Sequence, residues 1–213
     1  MSTSPARSRR SPGRPAITST DEILDAAERV GLDRLTRAEV AQVLGVSAAT
    51  IRHHVDSTDR LYSLACARAF GRLQLDSDSK SWQDYLRTLG QRFAELVTAT
   101  PGLEDYVLRG PYEERTLEQF ERIMNEVLLR KPEFDRATAH LLGSRTLIIS
   151  AALHTPARNR YPDSQYPKPD ILSAVVSWTL DAFLVGAETM IDSGLVPAVV
   201  PTPDASWTHI SDH

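Results

Sequence analysis

Apolar positions recur at helical spacing along most of the chain, and no stretch alternates as a strand would. Ile23, Ala27 and Val30 fall at i, i+4 and i+7 between the capping sequence Ser19-Thr20-Asp21-Glu22 and Gly31, which predicts a first helix. A second, Arg37 to Leu44, turns Val40, Ala41 and Leu44 inward. Gly45 can take the left-handed conformation of a sharp turn, Val46 fills the corner, and Ser47 caps a third helix. Ile51 and Val55 are the buried pair of that helix, which leaves Ala48, Ala49, Thr50, Arg52 and His53 outward. Ser57 caps a fourth helix carrying Leu61, Leu64, Ala65, Ala69 and Leu73, expected to end before Asp76-Ser77-Asp78-Ser79.

The same period continues. Trp82, Tyr85, Leu86, Leu89, Phe93 and Leu96 predict a fifth helix stopping before Pro101, and Leu103 to Leu108 a short sixth ended by Gly110-Pro111. Leu117, Phe120, Met124, Val127 and Leu128 predict a seventh, ending near Pro132. In the eighth, the expected buried stripe reads Phe134, Ala137, Leu141, Ile148 and Ala152, with Arg145 in its middle. Four prolines between 155 and 170 predict a loop. The last long helix, Asp170 to Asp192 with Gly194 as its stop, is apolar around most of its circumference. Its Ser173, Ser177, Asp181 and Glu188 argue for a buried helix and against a membrane span. One side packing on its own domain and the other on a second subunit is the economical arrangement.

Composition is that of an ordinary soluble globular protein, at 41% hydrophobic and 24% charged. The single Cys66 excludes an intrachain disulfide and suits a reducing cytosol, and no charged-then-apolar leader suggests a secretory signal, so a cytoplasmic location is expected. Net charge is −4, but unevenly spread. Residues 1–20 hold four Arg and no acid, residues 21–62 five Arg against eight acids, and residues 63–213 fifteen Lys/Arg against twenty acids. A basic end on an acidic body is what a protein shows when only that end meets phosphate.

Residues Leu35 to Leu61 thus have helix-turn-helix spacing, a device for laying one helix in the major groove of DNA. The alternative is three short surface helices with no ligand. Upstream, Arg9-Arg10-Ser-Pro-Gly-Arg14-Pro15 resembles the Gly-Arg-Pro core of an AT-hook, whose extended arginines are drawn into narrow minor grooves; a solubilising tail is the other reading. Enzyme signatures are missing: there is no phosphate loop, dinucleotide fingerprint, nucleophile elbow or Cys/His pairing. His140 and His154 stand about 21 Å apart along a helix and cannot share one ion, so no metal and no cofactor are expected.

On Ile23-Leu24-Asp25-Ala26-Ala27, Leu35-Thr36, Val40-Ala41, Leu44-Gly45-Val46-Ser47, Ile51, His54-Val55 and Leu61 the chain resembles the TetR family of transcriptional regulators. Trp82-Gln83-Asp84-Tyr85-Leu86 and Thr100-Pro101-Gly102-Leu103 extend the likeness toward its tetracycline-repressor branch. It departs at Arg52, where the family usually has Tyr or Phe, at Val55, often aromatic, and at Asp56 and Thr58, often Pro or basic. Helix one also reads about a turn short.

The resemblance implies an all-α fold: a three-helix helix-turn-helix head and a larger helical regulatory and dimerisation domain. The expected division is a disordered basic arm at 1–17, the DNA-binding head at 18–62, the effector-binding and dimerisation domain at 63–196, and a loose tail at 197–213. Double-stranded operator DNA would be met by Arg10, Arg14, Thr36, Arg37, Ser47, Ala48, Ala49, Thr50, Arg52, His53, His54 and Thr58. An unknown small-molecule effector would sit among helices five to eight, with Phe93, Tyr106, Phe120, Met124, Leu128 and Arg145 as candidate lining. A homodimer would form through helices eight and nine, with Ile148, Trp178, Asp181 and Val185 at the seam. For Arg145 three readings stay open: a pair with Asp181 at that seam, a contact to an acidic effector, or a side chain reaching water. The function implied is a repressor released from a palindromic operator by the effector; the alternative is a helical DNA-binding or interaction protein with no effector.

Overall fold

A computed structural model describes residues 19–160 and 169–196, and the described residues form α-helices with no strand among them. The basic arm with Arg10 and Arg14, and the tail from 197, lie outside the described residues. α1 (Thr20–Val30), a single 3-10 turn (Leu32–Arg34), α2 (Arg37–Leu44) and α3 (Ala48–His54) make a small head. α4 (Thr58–Phe70) leads out of it into a body of α5 (Trp82–Ala99), α6 (Leu103–Arg109), α7 (Glu114–Arg130), α8 (Arg136–Arg160) and α9 (Pro169–Asp192).

Helix starts in the head are set by local chemistry. The Ser19 hydroxyl accepts from Glu22 N at 3.2 Å while the Glu22 carboxylate accepts from Ser19 N at 2.8 Å, so α1 starts at this capping box and is as short as its apolar pattern. Ile23, Ala26, Ala27, Val40, Ile51, Val55 and Leu61 close the head core, none more than 2% exposed. α4 belongs to both parts, and the expected division after residue 62 falls inside it. Its Arg68 pairs with Asp25 and Glu28 of α1, and its Cys66, Ala69 and Phe70 are buried toward the body.

A second junction bypasses α4. The bend between α5 and α6 rests on the 3-10 turn of the head so closely that a Cβ on Gly102 would lie 2.8 Å from Asp33 N. Gly102 has φ +101°, which an L side chain rarely adopts. Tyr62 of α4 donates its hydroxyl to Gly102 O at 2.6 Å and fixes the bend from the other side.

α8 corrects two expectations. The face it buries is Thr138, Ala139, Leu142, Thr146, Leu147, Ser150 and Ala151, whereas Phe134, Ala137, Leu141 and Ile148 are half-buried and Arg145 and Ala152 exposed. The hydroxyls are compatible with burial because Thr146 donates to Leu142 O and Ser150 to Thr146 O, both at 2.9 Å, within the helix itself. Small side chains also let α5 approach. The stretch read as a loop from 155 to 170 is helical at both ends. α8 continues through Pro156 for one further turn to Arg160. Pro169 is the first residue of α9, where a missing N–H costs no intrahelical bond. Pro162 and Pro167 lie outside the described residues.

α9 buries Val176, Leu180 and Leu184 and joins its polar groups to α5: Asp181 accepts from Arg87 Nε at 2.6 Å, Glu188 from Gln83 at 2.7 Å, and Ser177 from Gln91 at 3.2 Å. Within the chain Asp181 thus pairs with Arg87. Ser173–Asp192 is long and apolar enough to cross a membrane by length and composition, but these bonds and the buried stripe tie it to the body. Ile171, Val175, Trp178 and Val185 remain exposed, Trp178 at 72%.

Candidate nucleic-acid interface and body cleft

The turn between α2 and α3 is held at every corner. Thr36 caps α2, accepting from Glu39 N at 3.2 Å. Gly45 sits at φ 67°, ψ 27°, and Val46 N closes the helix end on Ala41 O at 3.0 Å. Ser47 caps α3, accepting from Thr50 N at 3.2 Å, with the two hydroxyls 3.0 Å apart. Ile51 and Val55 anchor the inner face. A seven-residue helix fixed this way presents Ser47, Ala48, Ala49, Arg52 and His53 to solvent, with Thr50 and His54 half-buried. The small alanines leave room for close backbone approach to base edges, and a guanidinium can donate two hydrogen bonds to a guanine. The rings of His53 and His54 meet edge to face at 5.6 Å.

Other expected contacts fall around this face. Thr36 is exposed at the start of α2. Arg37 is half-buried, and its guanidinium donates to Asp56 O, bracing the start of α2 against the α3–α4 turn. No sequence pattern announces this strut, because its partner is a backbone carbonyl nineteen residues away. Thr58 is half-buried at the first residue of α4, which Ser57 caps through Arg60 N at 3.0 Å. Asp56 and Asp59 beside it are exposed, so carboxylates border the place where a phosphate would approach.

In the body, a cleft of about 370 Å³ opens between α7 and α8, lined by Glu114, Leu117, Glu118, Phe120, Glu121, Met124, Arg136 and His140. Phe120 and Met124 are expected at such a site from the sequence; the other six are not. Phe93 and Tyr106 are instead fully buried in packed core, Leu128 is half-buried against that core, and exposed Arg145 is not among the lining. Arg136 holds Glu121, its Nη2 lying 2.5 and 2.7 Å from the two carboxylate oxygens. Among the described residues no group of three or more His, Cys, Asp or Glu side chains could hold a metal ion.

An aromatic chain connects cleft and head. Phe120 packs on Phe70 of α4 at 5.4 Å and on Tyr112 at 5.3 Å; Tyr112 meets Tyr106 at 5.6 Å, and Tyr106 meets Tyr62 at 6.4 Å. Tyr62 is the residue that holds Gly102 O against the head. The Tyr106 hydroxyl lies 2.8 Å from Thr116 Oγ1 and accepts from Glu113 N at 2.9 Å. Burial pushes the Tyr106 phenol up to about 12, and raises Tyr62 and Tyr112 as well.

Solved structures share this architecture. A single-substitution variant of TetR from Acinetobacter baumannii AYE, in complex with minocycline, superposes with a TM-score of 0.68 at 16% identity, over 81% of this chain and 98% of that one. Apo ActR from Streptomyces coelicolor gives 0.59 at 20% identity, over 84% and 97%. ActR in complex with actinorhodin gives 0.56 at 20%, over 84% and 95%. No protein-family model and no curated protein sequence matches the chain. The fold is therefore TetR-like, an all-α architecture.

Proposed function

We propose that this chain is a sequence-specific DNA-binding transcriptional regulator, not an enzyme, and that it acts in the cytoplasm as a homodimeric repressor released from a palindromic operator by a small molecule. The observation that carries the reading is α3: its inner face and both ends are pinned, and what it leaves outside is small or cationic. Head residues through about 62 read the DNA, with Arg52 at a base edge and Thr36 and Thr58 on phosphate; residues 63–196 regulate and dimerise. Two arginines of the arm, Arg10 and Arg14, supply charge that the head lacks.

The dimer reading is supported by what α8 and α9 leave uncovered. Leu141, Ile148 and Ala152 of α8, with Ile171, Val175, Trp178 and Val185 of α9, form apolar surface that a second copy would bury. Effector response is supported by the cleft, whose floor residue Phe120 starts the aromatic chain to the head, and by the bound minocycline and actinorhodin of the structural neighbours. A regulator without an effector is the second reading, favoured by the filled core around Phe93 and Tyr106.

Selection of bound fragments from random DNA tests the proposal. The expected product is a palindrome with half-sites about one or two helical turns apart. Failure to enrich any sequence, or enrichment of a single unpaired half-site, overturns the dimeric reader.

A further inference from the structure

The α7–α8 cleft has a chemistry that selects among ligands. Its floor is apolar, from Leu117, Phe120 and Met124. Its lip carries Glu114, Glu118 and Glu121, at i, i+4 and i+7 along one face of α7. Arg136 is the one Arg or Lys lining it, and Glu121 already engages that guanidinium. Among the described residues neither Glu114 nor Glu118 has an ion-pair partner. Like charges one turn apart on a helix repel, and a cation placed between them relieves that repulsion. A volume of about 370 Å³ is that of a small-molecule site. An anion would face two uncompensated carboxylates, and a neutral hydrocarbon would use the floor and waste the lip.

We infer that the cleft takes an organic cation, a protonated amine or quaternary ammonium carried on an aromatic or aliphatic body. The body lies against Leu117, Phe120 and Met124, and the charge sits between Glu114 and Glu118. The inference rests on the reading of this cleft as the effector site, but its test needs no DNA.

The full chain is titrated calorimetrically with (1-naphthylmethyl)trimethylammonium, with 1-naphthalenemethanol and with 1-naphthalenemethanesulfonate. The cation should saturate one site per chain and bind at least about fivefold tighter than either analogue. The E114Q/E118Q double variant should lose about that factor for the cation and none for the alcohol. M124W, which fills the floor, should lose both. Thermal melting checks that the variants are folded; L117A, which removes floor without adding bulk, replaces M124W should that variant unfold, and should weaken both ligands. Equal or tighter binding of the sulfonate or the alcohol, an unchanged cation affinity in the double variant, or no saturable binding of the cation overturns the inference. A chain that selects a palindrome but fails this titration loses the cation and keeps the regulator; one that binds the cation but enriches no DNA does the reverse.

Discussion

The head and the body helix α8 put their hydroxyls in opposite places. In the head, Ser19, Thr36, Ser47 and Ser57 stand at helix starts and bond backbone N–H groups that no helix can satisfy internally. In α8, Thr138, Thr146 and Ser150 are buried instead, and Thr146 and Ser150 bond carbonyls of their own helix. The head therefore buries what its apolar pattern marks, and shows solvent a small, cationic α3. Within the body, α8 buries a face of small and hydroxyl-bearing residues, and its larger Leu141 and Ile148 are left half-buried toward the outside. One region exposes what suits a polyanion; the other exposes what suits another apolar surface.

The sharpest way to break the contrast is at the place where the two regions meet. Gly102→Ala adds a Cβ 2.8 Å from the backbone of the head at a φ that alanine resists. A loss of at least about 2 kcal/mol is expected from urea unfolding, with head and body still melting together. A loss below about 0.5 kcal/mol would mean the bend slides freely over the 3-10 turn and the two regions are not rigidly joined.

The same junction should answer to alkali. Tyr106 titrates near 12 in the folded protein against about 10 in an unfolded chain. Its contribution is complete below pH 10 and is lost as pH climbs from there toward 12, because only the unfolded state gains the phenolate early. Tyr106→Phe should lower the urea midpoint slightly at pH 7, through the lost bonds to Thr116 and Glu113, yet flatten its fall between about pH 10 and 11.5. Parallel curves for the two proteins would show that the Tyr106 ring is reached by water.

What can be read from residues alone follows the same division. The α2 limits, the Gly45 turn and the Ser47 and Ser57 caps are legible because each is decided within four residues of sequence. The inner face of α8 is not. A Thr or Ser whose hydroxyl bonds its own helix is as buriable as Val or Ala, and nothing in its spacing says so; Arg145 reads as buried only when the larger apolar side chains around it are assigned to the core face. The cleft is half legible. Phe120 and Met124 follow the apolar period, but its glutamates lie on positions that read as solvated surface until α8 is placed beside them. The Arg37 strut to Asp56 O has no signal at all.

Two matched substitutions test that division directly, with the smallest effects. Ser47→Ala removes the cap of α3 and leaves Thr50 N without its side-chain partner, so about 1 kcal/mol should be lost. Thr146→Val removes a hydroxyl that is fully buried, a change usually costly in a core. Here that hydroxyl donates to Leu142 O, a carbonyl that the helix ladder already satisfies. Stability should therefore stay within about 0.5 kcal/mol of the parent or rise. If Thr146→Val costs as much as Ser47→Ala, the hydroxyls of α8 hold the body together as the caps hold the head, and the two regions follow one rule.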